Sequence, residues 1–261
     1  MPQTPHPAPT AQLDADIAVT LLIPAFNEED NVKPLVEEIA QTLDPGLAYE
    51  ILFVDDASTD GTVAAVRALM ADPPAGPARL RLLRHERQCG KSTALLSGAE
   101  AARGRLLVLM DGDLQNDPRD VAALLAAFEA GGGLGRVGVV QGQRRRRRDT
   151  MFKRLSSRTA NHVRRTLLND RTVDTGCGLK LVPRDLYLTL PRFEGMHRFT
   201  PALVGRTGLS VELAAVNDRP RAAGVSKYGL WNRLWVGIGD MLMVWWLIRR
   251  YRRPGAVTEI D

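Results

Sequence analysis

Cysteine is nearly absent: Cys89 and Cys177 are the only two in 261 residues. Two cysteines build no disulfide framework and show no metal-site spacing, so a reducing, cytoplasmic setting is expected. Aromatic residues are scarce, at 5% of the chain, while apolar residues make up an ordinary 44%. That balance excludes both a disordered protein and a multi-span membrane protein. No charged segment followed by an apolar run opens the sequence, so a secretory leader is not expected. MPQTPHPAPTAQ is instead rich in Pro, Thr and Ala, and residues 1–16 read as a disordered tail. There is no internal repeat.

Positive charge is clustered rather than large. The formal charge is +5, yet Arg144–Arg148 is an unbroken run, and Arg249, Arg250, Arg252 and Arg253 crowd the C-terminal end. Such clusters meet anionic lipid, a phosphorylated substrate or nucleic acid, or are a solvated surface. Nucleic acid would need a continuous basic face with stacking aromatics. Here Trp231, Trp235, Trp245 and Trp246 gather in one terminal segment, so no nucleic-acid partner is expected.

From Ile17 onward, short β-rich apolar runs alternate with helical stretches, the pattern of a mostly parallel sheet covered by helices. IAVTLLIP, EILFVDD, RLRLLR, RLLVLMDGD and VGVVQG read as strands, with helices beginning near Glu29, Asp60, Gly90 and Pro118. After Gln143 a basic helix, about 150–168, is expected to lead into VDTGCGLKLV. A helical segment from Pro183, the strand-like GLSVELAAV and a final helix from near Tyr228 follow. Residues 17–227 are therefore expected to form one α/β domain, with a nucleotide half over 17–143 and an acceptor half over 144–227. Residues 228–253 form a separate helix, and 254–261 a tail. The apolar stretch of that helix, Leu234 to Ile248, is shorter than the about 20 residues that span a bilayer, and Asp240 interrupts it. Its tryptophans and flanking arginines suit an amphipathic helix at a membrane interface; an ordinary core helix is the alternative.

Chemistry-bearing residues fall just beyond strand ends, where nucleotides bind in open α/β sheets. Glu28 follows the first strand, Asp55 and Asp56 follow the second, and Asp111 and Asp113 follow the fourth. The Asp-Gly-Asp is the sharpest of these signals. Two carboxylates two residues apart on an extended turn share a side, and the glycine between them lets the backbone approach closely. Hard oxygen donors of this kind hold Mg²⁺ or Mn²⁺, and such a cation would neutralise charge on a departing diphosphate.

IPAFNEED, VDDASTDGT, GKSTALLSGAEAARG, DGDLQNDP, QGQR, DTGCG, MHRF and RAAGVSKYG occur in the order seen in family 2 glycosyltransferases. The chain most resembles the polyprenyl-phosphate group of that family, which contains dolichyl-phosphate mannose synthases and bacterial undecaprenyl-phosphate sugar transferases. The resemblance covers roughly Ile17 to Trp231. It implies a GT-A type nucleotide-binding fold and inverting transfer of a sugar from a UDP- or GDP-linked donor to a polyprenyl phosphate at a membrane surface. It also implies roles for individual residues. Pro24, Phe26 and Glu28 would line the nucleotide pocket, and Asp55 or Asp56 would meet the base or ribose. Asp111, Asp113 and Gln115 would hold the divalent cation and diphosphate. Arg144, Arg221, Ser226 and Lys227 would face the phosphates, and Asp174 would be an acceptor-side base. Many relatives carry membrane helices or a further domain after the catalytic part, so a peripheral enzyme, or one with a separate membrane subunit, is expected.

A lipid phosphate is already anionic near neutral pH and needs charge screening more than a base, whereas a hydroxyl acceptor needs a base such as Asp174. A family 2 transferase acting on a sugar or lipid hydroxyl is thus the alternative enzyme, and a non-catalytic membrane binder on the same fold a second one. Cys89-Gly90-Lys91-Ser92 ends like a P-loop, but Glu86 stands where the first glycine belongs, so it reads as a helix start. His85 and His162 read as surface residues, His197 as acceptor-facing or structural, and Cys177 as a small packed residue. Gly131–Gly133 reads as a loop.

Overall fold

The computed structural model describes residues 13–14, 17–74, 79–144, 167–168, 172, 174, 176–217, 219 and 230–252, the last stretch from its backbone alone over 230–236. Among them are seven strands: β1 (Val19–Ala25), β2 (Tyr49–Asp55), β3 (Arg79–Arg84), β4 (Leu106–Leu109), β5 (Val137–Arg144), β6 (Lys180–Pro183) and β7 (Ser210–Val216). They form one sheet in the order β3-β2-β1-β4-β6-β5-β7. Neighbours pair in parallel, except that β6 runs antiparallel to both β4 and β5. The helices are α1 (Glu29–Thr42), α2 (Thr62–Ala71), α3 (Lys91–Ala101), α4 (Val121–Ala130), α5 (Arg184–Thr189), α6 (Thr200–Gly205) and α7 (Leu230–Arg250). The expected basic helix over 150–168 lies outside the described residues, apart from 167 and 168.

The two-residue side-chain period of a strand divides the core between two faces. Val19, Leu21 and Ile23 of β1, Ile51 and Phe53 of β2, and Leu106 and Val108 of β4 pack with α1 and α4. Leu22, Leu52, Val54, Leu107 and Leu109 face the other way, onto α3 and Tyr187 of α5. Strands covered on both faces read as unbroken apolar runs, which is why LLIP, ILFV and LLVL are legible as strands. Polar caps set the helix starts. Asp60 Oδ1 accepts from the Thr62 amide at 3.0 Å, and Asp117 accepts from the Arg119 amide at 3.0 Å with Pro118 in the first turn.

α7 is amphipathic with respect to this domain. Val244 is fully buried against the second core, and Met241, Trp245 and Ile248 pack beside it. Leu242, Met243 and Trp246 are exposed on the other side. The core-helix alternative thus holds for one face of the helix, and the opposite face is exposed. Asp240 faces the domain: a Cβ on Gly195 would lie 3.1 Å from its Oδ2, and burial raises its pKa while Arg198 opposes the rise. No helix among the described residues is long and apolar enough to cross a membrane.

One buried acid ties four segments together. Glu50 on β2 is wholly buried and accepts from Thr20 Oγ1 of β1 at 2.7 Å, the Arg103 amide at 2.7 Å and Arg81 Nη1 of β3 at 2.8 Å. Removing one partner of a buried pair strands the other charge. Arg81→Ala should therefore lower the urea-unfolding free energy by about 2–4 kcal/mol. Arg79→Ala, which breaks only an exposed pair with Asp14, should stay within about 0.5 kcal/mol of the parent.

Candidate functional site

The strand order reverses between β1 and β4, because β2 and β3 extend the sheet from one side of β1 and β4 adds on the other. The crevice beyond the carboxyl ends of such strands is where open α/β sheets bind ligands. IPAFNEED follows β1 there, and DGDLQNDP follows β4. Reversal of β6 brings a third motif to the same edge: Lys180 at its start pairs with Leu109 at the end of β4, so DTGCG arrives beside the Asp-Gly-Asp. β5 also ends there, with Gln141 paired to Lys180, and delivers QGQR.

The loops interlock closely. Asn27 donates its amide to Ser58 Oγ at 2.9 Å, and its Oδ1 accepts from the Thr59 amide at 2.8 Å. The Glu28 amide reaches Thr62 Oγ1 at 2.9 Å, and Glu28 Oε2 accepts from Asn31 Nδ2 at 2.6 Å. Among the described residues, three that are not glycine adopt left-handed backbone: Asn27 (φ 56°), Ala57 (φ 62°) and Leu114 (φ 63°). Each sits in a loop after β1, β2 or β4. Strain of this kind persists only where the surroundings over-determine it, and it concentrates at working sites.

The acids at this edge are held by cations and amides. Asp55 is buried, accepts from the Ser58 amide at 3.2 Å and lies 3.3 Å from Arg84 Nε. Asp56 accepts from His85 Nδ1 and from the amides of Cys89 and Gly90, each at 2.8 Å. Asp111 pairs with Lys91 at the start of α3, and its own amide donates to Asn116 Oδ1 at 2.8 Å. A Cβ at Gly178 would collide with the Asp111 carboxylate, so the last glycine of DTGCG is required by close packing. Burial pushes Asp111 upward in pKa, but Lys91, with help from Lys180 and His197, brings it below the usual carboxylate value. Burial and the charges of Lys91 and Lys180 hold His197 well below the usual imidazole range. Its Nδ1 meets Ser92 Oγ at 2.8 Å. Asp113 is buried and accepts from the Gln115 amide at 3.2 Å.

The sequence profile of glycosyl transferase family 2 matches residues 20–188. A dodecaprenyl-phosphate galacturonate synthase of Rhizobium johnstonii is 34% identical, over 92% of this chain and 70% of that protein. The chain belongs to glycosyl transferase family 2. An undecaprenyl-phosphate 4-deoxy-4-formamido-L-arabinose transferase of Shewanella sediminis is 29% identical over 82% of this chain, which spans 62% of that relative's length. Among solved structures, glucosyl-3-phosphoglycerate synthase of Mycobacterium tuberculosis with Mn²⁺, UDP-glucose and glycerol 3-phosphate superimposes with a TM-score of 0.64 at 18% identity, covering 90% of this chain and 80% of that one. That likeness shows the shared GT-A type fold.

For a family 2 glycosyltransferase the placements separate clearly. Pro24, Phe26, Glu28, Asp55, Asp56, Asp111, Asp113 and Gln115 come to one edge. Arg144 and Asp174 also meet, in a two-point ion pair at 2.5 and 2.9 Å. Arg221, Ser226 and Lys227, like His162 and Arg145–Arg148, lie outside the described residues. His85 is not the surface residue that its charged neighbours imply: only 15% of its side chain is exposed, and it bridges Asp56 and Ser97. The helix start at Gly90 and the packed Cys177 are as expected.

Sequence reasoning missed Lys91, Gly178 and Lys180. Lys91 was visible only as the end of a failed P-loop, and its partner lies 20 residues away. The residues suit a hard divalent cation. Asp111 and Asp113 offer hard carboxylate oxygens from one loop, with Asp111 paired to Lys91 and packed against the bare Gly178.

Lys180 is buried, donates to the Cys177 carbonyl at 2.7 Å, and is pushed from 10.5 to about 8 by burial and by Lys91. Between these two values the unfolded chain holds a proton that the folded chain has lost, so stability rises with pH. Below pH 8 both states are protonated and the slope vanishes. Urea midpoints measured from pH 7 to 10.5 should therefore climb in the parent relative to Lys180→Met. Parallel curves would contradict this assignment.

Proposed function

We propose that the chain transfers a sugar from a UDP- or GDP-linked donor to a polyprenyl phosphate, with inversion, at the cytoplasmic face of a membrane. The observation that carries the acceptor class is likeness along nearly the whole chain to enzymes named for dodecaprenyl and undecaprenyl phosphate. The site's chemistry agrees. Pro24, Phe26, Glu28 and one of Asp55 and Asp56 hold the nucleoside end. Asp111, Asp113 and Gln115 hold a Mg²⁺ or Mn²⁺ ion, which would screen the diphosphate's charge when bound. Lys91 supplies a fixed positive charge beside Asp111, and the phosphate-facing roles are assigned to Arg144 and, by the motif RAAGVSKYG, to Arg221, Ser226 and Lys227.

The state of Asp174 favours a phosphate acceptor over a hydroxyl one. A general base needs a carboxylate open to the acceptor proton, whereas this one is gripped at both oxygens by Arg144 and accepts from the Gly176 amide at 3.2 Å. A lipid phosphate brings its own negative charge and needs no base.

The decisive assay is nucleoside diphosphate release from a panel of UDP- and GDP-sugars with Mg²⁺ or Mn²⁺ and a short-chain polyprenyl phosphate. Release should require the acceptor, cease with chelator, and fall about 100-fold or more in Asp113→Ala. Release seen only with a hydroxyl acceptor, and lost in Asp174→Asn, would replace this reading.

Membrane attachment is assigned to the outer face of α7. Leu242 and Trp246 are each more than half exposed, and Arg250 stacks on Trp246 at 5.6 Å, pairing apolar rings with headgroup-binding charge. Co-sedimentation with anionic vesicles should drop several-fold in a Leu242→Glu, Trp246→Glu double variant. Single-stranded DNA should not bind. Unchanged sedimentation would remove α7 from membrane attachment.

A further inference from the structure

A second cluster of ligating side chains lies outside the Asp-Gly-Asp loop. Asp56, His85 and Cys89 place a carboxylate oxygen, an imidazole nitrogen and a thiol sulfur within 4.8 Å of one another. Their spacing in sequence hides this. Asp56 follows β2, His85 follows β3, and Cys89 lies on the loop before α3. The loop is folded back by Asp56 itself, whose Oδ1 and Oδ2 accept the Cys89 and Gly90 amides at 2.8 Å each. Gly90, in left-handed backbone at φ 89°, makes that return possible.

We propose that Asp56, His85 and Cys89 form a binding site for a thiophilic divalent cation, Zn²⁺ by the chemistry of its ligands, separate from the Mg²⁺ or Mn²⁺ site on Asp111 and Asp113. The two donor sets select different ions. Carboxylates alone suit a hard ion, whereas thiolate with imidazole and carboxylate suits zinc. A tetrahedral zinc with bonds of about 2.0–2.3 Å holds its ligand atoms roughly 3.3–3.8 Å apart, so three atoms within 4.8 Å need only a small closure. The supporting contacts are already made. Nε2 of His85 meets Ser97 Oγ at 3.0 Å, the arrangement in which a ligating histidine uses its second nitrogen to fix the ring. Cys89 is exposed, and its Sγ reaches no further than the Arg87 carbonyl at 3.2 Å, so the thiol is open to an incoming ion. Binding displaces the thiol proton and the His85–Asp56 hydrogen bond. Three protein ligands leave the fourth position open.

The site has a consequence that rests on the proposed function and on Asp56, rather than Asp55, being the acid that meets the nucleoside. A carboxylate bound to zinc has fewer lone pairs for a base or ribose, so zinc and nucleotide weaken each other's binding by the same factor.

Cobalt(II), titrated into the full chain, reports the ligands directly, because thiolate coordination gives a near-ultraviolet charge-transfer band that carboxylates do not. One equivalent should produce the band, and excess Mg²⁺ should not remove it. Zn²⁺ should displace the cobalt, with its affinity read by competition against a chromophoric chelator. Cys89→Ser or Cys89→Ala, both at an exposed position, should abolish the band. His85→Gln, which retains hydrogen bonding to Asp56 and Ser97, should weaken affinity at least about tenfold. No band in the parent, a band surviving loss of Cys89, or full affinity in His85→Gln would overturn the site. A band with normal ligand dependence but indifferent to nucleoside diphosphate would uphold the site and overturn the nucleotide role of Asp56.

Discussion

Parallel strands all deliver their carboxyl ends to one edge of a sheet, and in this chain that polarity decides where the acids after β1, β2 and β4 go. Glu28 follows β1, Asp55 ends β2 with Asp56 next to it, and Asp111 and Asp113 follow β4. The reversed β6 contributes its amino end instead, so Lys180 and the glycines of DTGCG enter among those acids. An edge carrying so much negative charge is stable only if cations and amides share it. Arg84 sits by Asp55, Lys91 by Asp111 and Arg144 by Asp174, while Arg219 bridges Glu38 of α1 to Asp117.

Further hydrogen bonds tie the loops of this edge to the sheet. Asp117 and Asp120 accept from Asn217, at 3.2 Å to its side chain and 2.7 Å to its amide respectively, so the loop after β4 is fastened to the exit of β7. Leu114 can then be held left-handed, at an energetic cost of about 1–2 kcal/mol, because neighbours on both sides restrict it. A loop fixed in this way would, if it serves as the proposed cation and diphosphate site, present its carboxylates in place, which is the condition under which electrostatic stabilisation is most effective.

What the sequence revealed and what it concealed follow from range. Strands and helices were legible because their signals are local. Leu21 and Leu22 alternate between two cores, and Asp117-Pro118 caps and starts a turn. The acidic motifs were legible because strand ends mark themselves by a change from apolar to polar residues. Pairings across the sheet were not. His85 stands between Arg84 and Glu86 and reads as surface, yet its partners are 29 and 12 residues away. Arg144 and Asp174 each invite a separate role, phosphate contact and base, but they are 30 residues apart and bind each other. Lys91 fell between a P-loop and a helix start because nothing near it in sequence shows Asp111.

The relation of α7 to the reaction edge bears on acceptor choice. Asp240, the one acid in its apolar stretch, faces Gly195 and Arg198. Two residues from Gly195, His197 reaches Ser92, which also accepts the Gly195 amide at 2.9 Å, and Ser92 adjoins Lys91 on Asp111. A helix whose outer face carries Leu242 and Trp246 is therefore joined by a short chain of contacts to the Asp-Gly-Asp loop. A transferase using a freely diffusing acceptor gains nothing from such proximity. Under the proposed reading, an acceptor phosphate confined to a bilayer surface would need a reaction centre within reach of that surface, and the exposed face of α7 is the part of the described structure to which the proposal assigns that contact.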